Sequence, residues 1–231
     1  MRKNPVKFSM PSKAPCAILF EDNHLLVVVK PANIPVQADD SHDPDLLTLL
    51  KSYIKERDAK PGNVFLGLVH RLDRPVSGVM VFAKTSKAAA RLSEQIRNHT
   101  FKKTYLAQVH GMLAEKEATL IHYIEKDESK NKVRVYNDAR ENKNALKAEL
   151  SYSVIREDPD TQNSEVEINL KTGRSHQIRA QFAHIGHPLV GEKKYDVDFA
   201  KRSIESPLML TAKSISFQHP TTAASLHFSM A

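Results

Sequence analysis

Apolar and polar positions along the chain predict strands first and helices second. "AILFED" and "HLLVVVK" read as two strands around a turn at Asp22-Asn23. The unbroken apolar run from Leu25 to Val29 predicts a strand covered on both faces. After the loop "PANIPVQADDSH" the period becomes helical. In "DPDLLTLLKSYIKERD", Leu46, Leu47, Leu50 and Ile54 share a face, with Asp43 expected as N-cap and Pro44 at the first helical position. Val64 to Val69 and Gly78 to Ala83 read as strands. A helix capped by Ser86 is expected to run to about Asn98, with Ala88, Ala89, Leu92 and Ile96 on one face. "FKKTYLAQVHG" alternates as a strand, with Phe101, Tyr105 and Ala107 on one side.

Further on, "ATLIHYIEK" and "KVRVYND" predict a hairpin around "DESKN", and "ALKAELSYSVIRE" with "SEVEINL" a second around "DPDTQN". "SHQIRAQFAHIG" reads as a short helix ended by glycine, and "LMLTAKSISF" as a late strand before a short strand-like end. Antiparallel hairpins mixed with about three helices imply an α+β fold on a large, mixed, mostly antiparallel sheet with flanking helices. The domain reading is a flexible basic arm over 1–14 and one domain over 15–231.

Composition narrows the class. The chain has 231 residues, 41% hydrophobic and 26% charged, which suits a soluble globular protein with a sizeable core. Its one cysteine, Cys16 in "APCAILF", excludes an internal disulfide and is expected to be a packed residue in a reducing compartment. No apolar run approaches the roughly 18 residues of a membrane span, so the expected location is the cytoplasm.

Net charge is +7, and its distribution says more than its size. Met1 to Lys13 holds four basic residues and no acid; Lys84 to Lys103 holds six against Glu94; Lys171 to Arg179 holds three and no acid. Such clusters suit a polyanion. Gly is scarce at 7 residues, and neither a phosphate-cradling nor a dinucleotide-binding glycine pattern occurs. His176, His184 and His187 fall close together, but their spacing is not a zinc pattern and no cysteine joins them.

The chemistry gathers on "LVHRLDRPVSGVMVFAKT", where Asp73 lies between Arg71 and Arg74 in an expected strand-loop-strand. A guanidinium beside a carboxylate favours the ionised form, which suits a nucleophile or an electrostatic stabiliser better than a general acid. A carboxylate can play either part at the anomeric carbon of a sugar. A loop-fixing salt bridge explains the same residues. Tyr105, on a strand behind Lys102 and Lys103, offers a platform for a stacked base, or a core tyrosine. "KTGRSHQIR" throws Arg174 out of a glycine turn, and Ser175, His176 and Gln177 follow at a helix start that favours phosphate.

"HRLDRPVSGVMVFAKT", "FKKTYLAQVHG" and "KTGRSHQIRAQFAHIGHPLVG", opened by "EDNHLLVVVKPANIPVQ" and closed by "PLMLTAKSISFQHP", together resemble the RluA family of RNA pseudouridine synthases. The resemblance covers about residues 17 to 220. It implies that family's fold, with a central RNA-binding cleft, residues 15–231 as one catalytic domain with no separate N-terminal RNA-binding domain, and isomerisation of uridines in ribosomal or transfer RNA to pseudouridine by a monomer without cofactor or metal. By resemblance Asp73 acts at ribose C1′, Tyr105 stacks on the flipped base and helps remove the C5 proton, and Arg174 pairs with Asp73. Arg71 fills the gap left in the RNA. Arg74, Lys103, His176, Gln177 and Arg179 are expected on the RNA as well. Glu192 and Asp196 stand where the family usually has Asp and Gly. A non-catalytic RNA-binding protein on the same fold is the alternative, and a glycosidase-like enzyme is disfavoured because no second carboxylate acid lies near the motifs.

Overall fold

A computed structural model describes residues 13–201 and 206–230. All but the last two residues of the expected basic arm lie outside them. The chain opens with the antiparallel pair β1 (Ala17–Glu21) and β2 (Leu25–Lys30). Asp22 makes the turn between them, its carboxylate accepting from the N–H groups of His24 and Leu25, both at 2.7 Å. Helix α1 (Leu46–Arg57) follows, then the two-residue β3 (Gly67–Leu68), β4 (Ser77–Ala83) and α2 (Ser86–Arg97). Strands β5 (Lys102–His110), β6 (Glu117–Asp127), β7 (Lys132–Tyr136), β8 (Leu146–Asp158) and β9 (Asn163–Leu170) come next. The short helix α3 (Gln177–His184) precedes β10 (Leu210–Gln218) and β11 (Ser225–Ser229).

The strands form one sheet in the order β1-β2-β4-β10-β5-β9-β8-β6-β7, with β11 on β10 and β3 on β4. Among the described residues its one parallel pairing joins β10 to β4, through Thr211↔Ser77 and Ala212↔Gly78. The two strands approach so closely there that a Cβ on Gly78 would lie 2.2 Å from the carbonyl oxygen of Ala212. The φ of +129° excludes side chains as well. This crossing fixes where the segment from Arg71 to Val76 enters the sheet.

Two apolar layers cover the β2–β4 half of the sheet. Leu26, Val28, Met80 and Phe82 pack under Leu46, Leu50 and Ile54 of α1. Leu25, Val27, Val79 and Val81 pack against Ala88 and Leu92 of α2 on the other face. The unbroken apolar run is therefore a strand buried on both sides, as expected. In the β9–β8–β6 half burial alternates, because only one face meets the core. Cys16 is a free thiol packed on the core edge, and burial pushes it up to about 11.

Four local expectations are corrected. Asp45, not Asp43, caps α1, accepting from Thr48 N–H at 3.0 Å; Asp43 is drawn away by Arg74. Thr85, not Ser86, caps α2 through Ala88 N–H. Phe101 precedes β5 and stacks on Phe217 in the α2 layer, whereas Tyr105 and Ala107 face the α1 layer. The strand expected over 64–69 shrinks to Gly67–Leu68, since the next N–H of β4, on Val81, donates to the His70 ring (3.1 Å) instead of to a neighbouring strand. Among the described residues no helix is long and apolar enough to cross a membrane.

Candidate active site

Asp73 sits on a turn closed by Val76 N–H donating to its backbone carbonyl at 3.0 Å. The turn is anchored from below and behind. Leu72 is buried in the α1 layer. Lys30, at the end of β2, is fully buried and donates through Nζ to the carbonyls of Pro31, Ile34 and Arg74 at 2.8, 2.8 and 3.0 Å. Asn33 N–H adds a bond to the Arg74 carbonyl at 2.8 Å. The Arg74 side chain reaches back to the Asn33 carbonyl, Ser41 Oγ and the Asp43 carboxylate. Arg74, expected on RNA, instead ties two loops together. Arg71 is exposed, and the Asp73 side chain is 29% exposed.

The guanidinium that meets Asp73 is not Arg174. Arg179 Nη1 donates to Asp73 Oδ2 at 3.2 Å, while Arg174 Nε donates to the Lys147 carbonyl at the surface. Helix α3 explains the difference. Residues Gln177 to Phe182 are all buried, so each polar side chain among them finds an internal partner. Gln177 accepts from Thr172 Oγ1 and Arg174 N–H and donates to the Glu149 carbonyl, locking the glycine turn. It is thus spent inside the protein rather than offered to RNA. Gln181 donates toward the His122 ring. Arg179 is held by Glu192, through Nε–Oε2 at 2.6 Å and Nη2–Oε1 at 2.8 Å. Glu192 is fully buried and also accepts from Lys194 N–H and Tyr195 N–H. The result is a chain of charges, Glu192–Arg179–Asp73, aimed by backbone.

Tyr105 lies on β5 in the same core layer as Leu72, and only 6% of it is exposed. Burial raises its phenol well above the ordinary range, and the nearby Asp73 carboxylate raises it further. His176 begins α3 with its Nε2 3.8 Å from Asp73 Oδ2. His70 buries its ring behind the loop. Burial, with Lys103 nearby, pushes its ring down to about 3, so it is neutral and accepts from Val81 N–H. Lys103 is half-buried and lowered by burial; its Nζ lies 3.1 Å from where a Cβ on Gly173 would be. With His99, Lys102, Glu149, Asn169 and Lys171 it lines a groove of about 240 Å³. The three histidines of the third motif go to separate partners: His176 to Tyr195, His184 to Asn137 and His187 to the His110 carbonyl.

Lys30, Glu192 and Tyr195 escaped the sequence reading as site residues. Lys30 carried a signal, a charge ending an apolar run where no solvated face is available. Glu192 and Tyr195 carried none, since "GEKKYD" looks like a polar surface turn. The buried Lys30 ammonium yields a test. Burial pushes it down to about 8 from its ordinary 10.5. Between those values the unfolded chain holds a proton that the folded chain has released, so this group makes stability rise with pH. Urea unfolding at pH 7.5 to 10 is expected to show that rise in the intact protein relative to Lys30→Met. Parallel pH curves for the two would contradict it.

A mixed sheet thus carries a carboxylate–guanidinium–carboxylate chain beside a buried tyrosine. A family model described as RNA pseudouridylate synthase matches residues 24–184. The chain belongs to that family. It is 35% identical to tRNA pseudouridine synthase C of Haemophilus ducreyi, over 89% of this chain and 86% of that protein. It is 32% identical to the dual-specificity RNA pseudouridine synthase RluA of Yersinia pestis, over 91% and 96%. Ribosomal large subunit pseudouridine synthase C of Buchnera aphidicola from Schizaphis graminum is 34% identical over 91% of this chain, which spans 65% of that relative's length. Other curated relatives are spanned over 57% to 63% of their length. The structure of human RNA pseudouridylate synthase domain containing 4 superposes with a TM-score of 0.75 at 22% identity, covering 93% of this chain and 88% of that one. The fold is that of the pseudouridine synthases, as expected.

Proposed function

We propose that this chain isomerises uridine in structured RNA, ribosomal or transfer, to pseudouridine. The observation that carries the reading is the Asp73 carboxylate, partly open to solvent, held by Arg179 and near enough to the buried Tyr105 phenol to raise it. The target uridine leaves the stack, at a cost of a few kcal/mol, because its C1′ is unreachable in a helix. The Asp73 carboxylate then acts at C1′ while the bond to N1 breaks, and the bonding pair leaves with the uracil. The freed base turns, C5 bonds to C1′, the C5 proton departs and N1 takes up a proton, so nothing is gained or lost overall. Tyr105 packs against the base and assists loss of the C5 proton. Arg179, rather than Arg174, holds Asp73 in its aim at C1′. Residues 15–231 act as one catalytic domain, in the cytoplasm.

Arg71 and Arg174 are exposed arginines and serve the RNA backbone. Each phosphate contact contributes about 0.7–0.9 to the salt slope of binding. Arg71→Ala and Arg174→Ala are therefore each expected to lower the slope of log K against log salt by about that much, in filter binding at several salt concentrations. An unchanged slope would remove that residue from the interface.

The function itself is tested by tritium release from RNA labelled at uridine C5 and taken from cells lacking this protein. Release is expected, with pseudouridine at the same position. RNA binding without release would favour a binding protein on this fold.

A further inference from the structure

His176 combines two features that a helix start does not need. Its φ is +51°, the left-handed region, in a residue other than glycine. It also occupies the N-cap position, yet its side chain makes no capping bond. An Asp, Asn, Ser or Thr there would satisfy a free N–H of the helix. A residue kept at both costs is a candidate for work done by its side chain.

That side chain points into the site and is 11% exposed. Its Nδ1 lies 2.5 Å from the Tyr195 hydroxyl, and its Nε2 lies 3.8 Å from Asp73 Oδ2. The Tyr195 oxygen already accepts from Val133 N–H at 3.1 Å. With Val133 N–H on the phenol oxygen, the arrangement that also uses the phenol's own proton has it donated to Nδ1. The imidazole proton then sits on Nε2, the nitrogen facing the carboxylate. Burial holds the ring below the ordinary histidine range, consistent with a neutral ring.

We propose that His176 is a positioning residue for Asp73, locked by Tyr195 as the tautomer whose Nε2–H faces Asp73 Oδ2. This rests on Asp73 being the group that acts at C1′. Arg179 approaches Oδ2 from one side and His176 from another, so the carboxylate keeps one orientation while C1′ is brought to it. The 3.8 Å gap is longer than a hydrogen bond, and such contacts tighten once substrate is in place. The assignment replaces the expectation that His176 binds RNA.

The test is single-turnover tritium release, with RNA affinity measured alongside, for the intact protein, H176N, Y195F and H176N/Y195F. Asparagine tolerates the left-handed backbone, so H176N keeps the loop. The saturating rate of H176N is expected to fall about 10–100-fold, the worth of one hydrogen bond to a charged group. RNA affinity is expected to stay within about twofold, well below the effect of a lost charged contact. Y195F falls less, and the double variant is no slower than H176N, because both changes act through one tautomer. A full rate in H176N, a loss confined to affinity, or multiplied losses in the double variant overturns the proposal. Should H176N not fold, an unchanged rate in Y195F overturns it alone. No release by the intact protein would sink the functional reading itself, whereas release by both it and H176N at the same rate sinks only this inference.

Discussion

Asp73→Asn is expected to abolish tritium release, by about 10⁴-fold or more, while the protein still folds and binds RNA. The substitution preserves shape and removes the charge. An amide neither attacks C1′ nor stabilises positive charge there, and removing a central catalytic carboxylate or nucleophile characteristically costs rates of that order. Folding is expected to survive because the turn does not depend on the side chain. It is held by Val76 N–H on the Asp73 carbonyl, by Lys30 and Asn33 on the Arg74 carbonyl, and by the buried Leu72. The measurements are single-turnover tritium release and a binding titration on the same RNA. Release at an undiminished rate would remove Asp73 from the chemistry.

Arg179→Met is expected to be inactive for the same chemistry and also less stable. Glu192 is fully buried and meets its only ion-pair partner in Arg179 among the described residues. Losing one member of such a pair leaves an uncompensated buried charge, at about 3–5 kcal/mol. The double variant Arg179→Met with Glu192→Gln is expected to regain most of that loss. A glutamine oxygen still accepts from the Lys194 and Tyr195 N–H groups and carries no charge. Activity stays absent in both. Urea unfolding of the single and double variants separates the two roles of Arg179. An unaltered midpoint in the single variant would show that Glu192 needs no partner. Full activity in either would show that Asp73 is aimed by something else.

Much of this molecule is legible in its residues. The run from Leu25 to Val29 announces a strand covered on both faces because no position in it tolerates water. The hairpins around "DESKN" and "DPDTQN" follow from alternation interrupted by turn residues, and they appear as β6–β7 and β8–β9. The motifs carried by Asp73, Tyr105 and the glycine turn point to one family at spacings that few chains share. Local pattern also named the right helices and missed their caps by one or two residues. Asp43 and Asp45, or Thr85 and Ser86, are equally good caps until tertiary partners choose between them.

Which arginine meets Asp73 could not be read from the chain. Arg174 and Arg179 belong to one basic segment, and the outward glycine turn made Arg174 the natural choice. Only packing shows that α3 is buried from Gln177 to Phe182, so that Arg179 must find carboxylates inside while Arg174 remains at the surface. The same holds for Lys30, Glu192, His176 and Tyr195, whose roles depend on atoms brought together from distant segments. Sequence determined the elements and the family, since these rest on local periodicity and motif. Tertiary structure alone decided which charges share the interior, because a buried charge is set by what surrounds it and not by its neighbours along the chain.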